Sequence, residues 1–236
     1  MPKELEIIKS AQNKTMKLRD RQKLNIDFLS TIKGAISLFR DPTQTDSVYD
    51  IEDGLRQTKA TELAVEFVKS QPKVAAIIQE RYVPPRLDME LLLTLPTDSL
   101  GYAYATYIKD SGFDPNFYRK IEIKDDVSYV LLRLRQTHDI WHIICGFSTD
   151  VKGELGLKAF ELAQTRRTMA IVLLAGGLLS TLFKSPADLE EILTSIAWGY
   201  RLGTKAQPLL SVKWEEQWEK PLIQLRQELG IEIAET

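Results

Sequence analysis

Apolar positions recur along most of this chain at steps of three and four, the spacing that gathers side chains on one face of an α-helix. Between Leu24 and Phe39 they fall at Phe28, Leu29, Ile32, Ala35, Ile36 and Phe39. Asp41-Pro42 stops this run, because the residue before a proline is pushed out of the α region. A second stripe of Ile51, Leu55, Leu63, Phe67 and Val68 ends before Pro72. Val74 to Tyr82 predicts a short helix ended by Pro84-Pro85, and Leu91 to Leu95 is a short apolar run before Pro96. A helix opening near Asp98 carries Leu100, Tyr104, Tyr107 and Ile108 and closes at Gly112. Ile121 to Ile123 reads as a short strand without an evident pairing partner.

The second half continues in the same way. Asp125-Asp126 precede a long periodic segment, Val127 to Cys145, so acids sit at the positive helix start and Gly146 at the left-handed C-cap position. Ser148, Thr149 and Asp150 are alternative caps for a following helix that holds Glu154 near its start. Met169 to Phe183 is the most apolar stretch; it is too short for a bilayer, which needs about 20 apolar residues, and reads as a buried core helix. Ser185-Pro186 starts a helix running through Trp198 and Leu202, and a last one follows Pro208 with Trp214, Trp218, Leu222, Leu225 and Leu229. With no repeat or long linker, the expectation is one all-α domain over residues 1–236, with residues 1–20 as a flexible lead-in.

Composition removes several classes of function. In 236 residues, 44% are hydrophobic and 27% charged, enough for one sizeable core. Lys+Arg 31 against Asp+Glu 33 gives a net charge of −2, so nucleic acid is not expected as a partner. A single cysteine, Cys145, excludes a disulfide framework and a multi-cysteine zinc site. The first twenty residues contain Glu4 and Glu6 and no apolar h-region, which argues against a secretory signal or a transit peptide and for a cytoplasmic protein.

Only two histidines are present, and they sit four residues apart, His138 and His142, on the same predicted face as Leu131, Leu134 and Cys145. That spacing lets two imidazoles converge on one metal ion. Asp139 could swing to the same side, and Glu154 could return a carboxylate from the next helix. The candidate site is therefore His138, Asp139, His142 and Glu154, a set suited to zinc, or to iron, manganese or magnesium at higher coordination. The bland alternative is a pair of hydrogen-bonded core histidines beside solvated acids.

His138-Asp139-x-x-His142, followed after eleven residues by Glu154, resembles the signature of the ubiquinone-biosynthesis family known as Coq four. Upstream, Leu95-Pro96, Leu100-Gly101, Tyr104 and Arg133-x-Arg135 agree with it. Gly153-Glu154, Lys158, Phe160, Glu161 and Gln164 continue the likeness, as do Gly203, Pro208-Leu209, Trp214-Glu215, Trp218, Leu225-Arg226, Leu229 and Ile231. Thr97-Asp98-Ser99 departs from a glycine-containing turn of the family, and Thr165-Arg166-Arg167 has no clear counterpart. The lack of a presequence is what a bacterial member, or a mature form, would show. The resemblance implies an α-helical, peripherally membrane-associated protein with a divalent metal on His138, Asp139, His142 and Glu154. It further implies removal of the ring carboxylate at C1 of a prenylated hydroxybenzoate-type intermediate, coupled to hydroxylation there. An older view makes the family a non-catalytic organiser of the other biosynthetic enzymes.

Expected partners are thus a polyprenyl lipid or prenylated quinone precursor, other quinone-biosynthesis proteins, a membrane surface and a second copy of the chain. A prenyl tail needs an apolar slot, for which Met169 to Phe183, with Gly176 and Gly177, is the candidate wall. Arg133, Arg135, Arg201 and Lys205 are candidates for an anionic head group. Two further functions compete with a metal-dependent enzyme. One is an isoprenoid-binding scaffold with a structural metal. The other is a metal-dependent phosphohydrolase, for which a third histidine is lacking. A zinc protease fits less well still, because Asp139 stands where its motif has Glu.

Overall fold

Helix succeeds helix in the computed structural model, which describes residues 45–112 and 121–233. The described α-helices are α1 (Thr45–Leu55), α2 (Lys59–Lys69), α3 (Pro72–Glu80), α4 (Met89–Leu92), α5 (Leu100–Ser111), α6 (Asp126–Cys145), α7 (Val151–Thr165), α8 (Thr168–Lys184), α9 (Leu189–Lys205) and α10 (Leu222–Leu229). Both the predicted Leu24–Phe39 helix and the 1–20 lead-in lie outside the described residues. None of the described helices is long and apolar enough to cross a membrane.

Local chemistry sets most boundaries. The stripe from Ile51 to Val68 is two helices rather than one, because Thr58 turns extended and caps α2 by accepting from the Thr61 amide. Pro72 occupies the first turn of α3, where its missing N–H costs nothing. Asp125 and Ser128 cap α6 reciprocally, and Gly146 ends it at φ 73°. Among the three candidate caps of α7 it is Asp150 that accepts from Gly153 N, at 2.7 Å.

Two expectations fail here. Ile121–Ile123 forms no strand; the one bridge among the described residues joins Ser99 to Pro221, and the chain before α6 gives its Lys124 and Asp125 amides to Ser128 Oγ instead. Nor does a helix run from Pro208 through both tryptophans. Two single 3-10 turns, 209–211 and 214–216, precede α10. The backbone between them and α10 is engaged elsewhere: the Trp218 and Lys220 carbonyls accept from the Gly101 and Leu100 amides at the start of α5. Those amides have no partner inside their own helix, so this segment caps α5 instead of coiling.

Helix α6 forms the spine, burying Tyr129, Val130, Leu134, Ile140, Trp141 and Ile144. Trp214 lies wholly inside, Trp141 meets Phe160 of α7 edge to face at 5.8 Å, and Arg226 of α10 donates to the Ile143 and Ile144 carbonyls at the end of α6. Helix α8 splits the apolar run predicted as core: Met169, Ala170, Val172 and Leu173 are buried, whereas Ile171, Leu182 and Phe183 are exposed.

The closest approach joins α7 to α9. A Cβ added at Gly199 would lie 2.0 Å from the Gly156 carbonyl oxygen, and one at Gly203 2.7 Å from the Phe160 oxygen. No side chain fits there without parting the helices. Gly199→Ala is therefore expected to lower stability by about 1–3 kcal/mol or more through overpacking. Gly54→Ala in α1, where a Cβ meets nothing within 4 Å, should raise it by up to about 1 kcal/mol through helix propensity. Urea unfolding of the two variants checks the opposite signs.

Candidate metal centre

His138 and His142 project from adjacent turns of α6, and Glu154 reaches them from the first turn of α7. One ligand atom from each lies within 4.8 Å of the other two. Glu154 Oε1 is 3.1 Å from His142 Nε2 and its Oε2 is 3.8 Å from His138 Nε2, so one carboxylate spans both rings. The rings stand edge to face, centroids 4.8 Å apart.

The loop between the helices determines how His142 is presented. Its Nδ1 lies 3.1 Å from the Phe147 carbonyl oxygen. A carbonyl only accepts, so Nδ1 carries the hydrogen and, in the neutral ring, Nε2 is left with a lone pair. That Nε2 is buried and makes no hydrogen bond of acceptable geometry, although the Glu154 carboxylate faces it. A lone pair and a carboxylate oxygen 3.1 Å apart repel unless a proton or a metal ion lies between them. The donor set thus fits a divalent metal on chemical grounds: two imidazole nitrogens and one carboxylate, with the second nitrogen of His142 fixed by a backbone carbonyl as metal-bound histidines commonly are.

Electrostatics favour the metal-ready protonation states. Crowding of the His138 ring by protein, aided by the Lys158 charge, pushes its pKa well below the usual imidazole value and keeps it neutral. Burial tends to raise the Glu154 carboxyl, but His142, His138 and Lys158 outweigh it and hold the group at about 2. His142 is 1% exposed in its side chain, while His138 and Glu154 each leave 31% open. The group is therefore closed on one side and open on the other.

Asp139 does not join the three. It is partly buried, and its pKa is raised, first by desolvation and also by the nearby Glu154 charge. Cys145 is buried, with its thiol pushed up by desolvation, and stands outside the group as a core residue. Among the proposed head-group residues, Arg133 is 1% exposed and bidentate to Glu215 at 2.7 and 2.8 Å, with Val212 O as a further acceptor. Arg135 is paired with Glu52 and stacked over Tyr49 at 4.4 Å. Both guanidiniums are already matched by protein, so neither presents a free fork to a ligand. Arg201 and Lys205 are exposed on α9. Gly176 and Gly177 are buried, and the space beside Gly177 is filled by the Leu155 side chain, so the expected slot is occupied by helix packing at that point.

Tyr107 of α5 was read only as part of an apolar stripe. Its ring stacks on His142 at 6.4 Å, and its hydroxyl is pushed up by burial and by the Asp139 and Glu154 charges. Lys158, one turn beyond Glu154, belongs to the same neighbourhood through its charge effects on His138, Asp139 and Glu154. Tyr107 carries no such signal in the sequence and Lys158 only its place in the family likeness, because each role depends on how three helices meet.

A family model described as "Coenzyme Q (ubiquinone) biosynthesis protein Coq4" matches residues 13–235 of the chain. The ubiquinone biosynthesis protein coq4, mitochondrial, of Sclerotinia sclerotiorum is 36% identical over 171 residues, which are 69% of this chain and 58% of that protein. The ubiquinone biosynthesis protein COQ4 homolog, mitochondrial, of Rattus norvegicus is 34% identical over 172 residues, 70% of this chain and 63% of that protein. The chain thus spans less than two thirds of the length of these relatives. A crystal structure of a Nostoc punctiforme PCC 73102 protein ascribed to ubiquinone biosynthesis superposes with a TM-score of 0.80 at 35% identity, covering 88% of this chain and 98% of that one.

His138 and Glu154 contribute to the acid response of the metal-free protein in different parts of the pH range. His138 stays neutral below the usual imidazole value of 6.5 while the unfolded chain takes up a proton, so stability falls as pH drops below that value. Glu154 contributes stability that is complete above 4.5 and is lost as pH falls toward 2. Thermal unfolding in chelator between pH ~7 and ~2 should show both losses. His138→Gln should flatten the upper part and Glu154→Gln the lower.

Proposed function

The chain belongs to the Coq4 family of coenzyme Q (ubiquinone) biosynthesis proteins, and we propose that it is a metal-dependent enzyme of that synthesis. The reaction assigned is removal of the ring carboxylate of a prenylated hydroxybenzoate-type precursor as carbon dioxide, coupled to hydroxylation at the same carbon, with dioxygen as the two-electron oxidant, reduced to hydrogen peroxide. What carries this reading is the openness of the three-residue group: structural zinc sites are closed by four protein ligands, whereas catalytic ones keep a position for substrate. Here His138, His142 and Glu154 supply three, and the partly exposed edge of His138 and Glu154 gives access.

His138, His142 and Glu154 would hold the divalent ion, zinc first by donor type. When bound, it supplies Lewis acidity toward a carboxylate or phenolate. Phe147 O fixes the His142 tautomer, and buried α6 prevents that ring from turning away. The two carboxylates divide the remaining work. Glu154 stays ionised as a ligand, while Asp139, whose pKa is raised, exchanges a proton with the reacting ring. Tyr107 lies across the His142 ring and closes that side of the site against water.

A scaffold that gathers other quinone-biosynthesis proteins is the second reading, and the outward apolar residues Ile171, Leu182 and Phe183 of α8 favour it, since such a face suits a prenyl tail or a peripheral membrane contact. A phosphohydrolase is not supported, since the chain holds no third histidine.

Metal analysis of purified protein, joined to turnover of a prenylated hydroxybenzoate in air, separates the readings. Wild type should hold one divalent ion per chain and release carbon dioxide from the precursor. His142→Ala should lose metal affinity by more than about tenfold, since even outer partners of metal ligands cost 10–100-fold. It should also lose turnover while keeping prenyl-lipid binding. Metal-loaded wild type that binds the lipid and never turns it over would leave the scaffold standing.

A further inference from the structure

Charged side chains extend inward from the metal centre in a single file. Lys158 of α7 donates to Glu161 at 2.9 Å, and Glu161 also accepts from Arg167 at 2.9 Å. Arg167 pairs in turn with Glu52 of α1, and Glu52 with Arg135 of α6. None of the five side chains is more than 14% exposed. Asp53 balances Arg135 at the far end. At the near end Lys158 has only a share of Glu161, which it divides with Arg167.

An ammonium has three donors, and Lys158 uses one of them, on Glu161. It follows Glu154 by four residues on α7, so both stand on one helix face. Its charge reaches His138, Glu154 and Asp139. A fixed cation beside a cluster of metal ligands weakens attraction for a metal, and its own countercharges here are Glu161, Glu154 and Asp139. A metal on Glu154 would take up one of these, and an anion bound beside the metal would replace it. The file anchors the ammonium through Glu161 and leaves two of its three donors without a hydrogen bond among the described residues.

We propose that Lys158 is the anion-recognising residue of this site, its ammonium taking the carboxylate of an aromatic acid bound beside His138, His142 and Glu154. This rests on the metal-dependent reading above and names the group that would hold the substrate acid in place. Arg133 and Arg135, the residues that fork geometry first suggests, are saturated by Glu215 and Glu52.

The test uses the full chain, two probes and two variants. Zinc and 4-hydroxybenzoate are titrated calorimetrically or by NMR into wild type, Lys158→Met and Lys158→Arg, the benzoate both with and without zinc. In Lys158→Met, zinc affinity should be unchanged or tighter, because a like charge is gone. Benzoate affinity should fall by about tenfold or more, the loss of a charge-assisted hydrogen bond. Lys158→Arg should retain most of it, and 4-hydroxybenzamide, which lacks the charge, should not distinguish wild type from Lys158→Met. Inorganic phosphate is the control for a general anion site; phosphate bound more tightly than benzoate would overturn the carboxylate assignment. Lys158→Met that binds benzoate as wild type does would also overturn the proposal. So would Lys158→Met that loses zinc along with benzoate, since that is the pattern of a purely structural lysine; if this variant does not fold, Lys158→Arg losing both decides the same way. Should zinc bind neither wild type nor variant, the metal reading fails by itself, while a benzoate preference that disappears in Lys158→Met still upholds Lys158.

Discussion

Helices α7 and α9 touch backbone to backbone at Gly156 and Gly199, and much of the molecule's chemistry follows from that contact. Two helices separated by ordinary side chains can roll and slide by small amounts, because flexible groups accommodate the change. Two helices in backbone contact cannot. Leu155 inserting beside Gly177 of α8 holds α7 from another side, and the carbonyl of Ser148 lies so close to Gly153 that a Cβ there would sit 2.1 Å from it. The roll of α7 about its axis is therefore fixed, and with it the direction of Glu154, Lys158 and Glu161. Because α7 begins only a short loop after α6, the same constraint brings Phe147 O to His142 and Glu154 to both imidazoles.

The buried charges extend that logic. A buried ion pair is weak evidence for stability, since the cost of desolvating two charges offsets most of their attraction. What the file from Arg135 to Lys158 provides is position. Glu52 ties α1 to α6 and to the start of α8, and Glu161 ties α8 to α7. Each carboxylate serves two cations, so none can leave without stranding another charge. Burial lowers the Arg167 pKa to about 10, which still leaves it charged at neutral pH. Arg133 and Glu215 do the same for the C-terminal segment, which has no long helix to hold it against α6.

How much of this was legible in the sequence depended on distance along the chain. The caps Asp125, Gly146 and Gly112, the long helix α6 and the spacing of His138, His142 and Glu154 are local patterns, and the structure keeps them. The break at Thr58 was hidden because no proline stands between the apolar positions on either side of it. The C-terminal turns were hidden because the carbonyls of Trp218 and Lys220 are claimed by α5, more than a hundred residues earlier. Arg133 and Arg135 looked like ligand-binding groups because their partners Glu215 and Glu52 lie 82 and 83 residues away. Lys158 was visible only as part of the family likeness and Tyr107 only as part of a stripe, since their relation to the histidines arises where α5, α6 and α7 converge.

Helical geometry also explains why two acids of one motif divide. Successive residues on an α-helix turn by about 100°, so His142 lies about 40° from His138 around α6, whereas Asp139 lies about 100° from His138 and about 60° from His142. Two rings separated by 40° share the Glu154 carboxylate here, whereas Asp139 stands further around and outside their group. Glu154, coming from a different helix, spans the pair. Asp139 is left beside the site, close enough to feel Glu154 and His142 but not held by them. Desolvation then acts on it without a compensating cation bond, and its pKa rises while that of Glu154 falls. The same helix thus converges the two histidines and sets Asp139 beside them, while Glu154 arrives from α7.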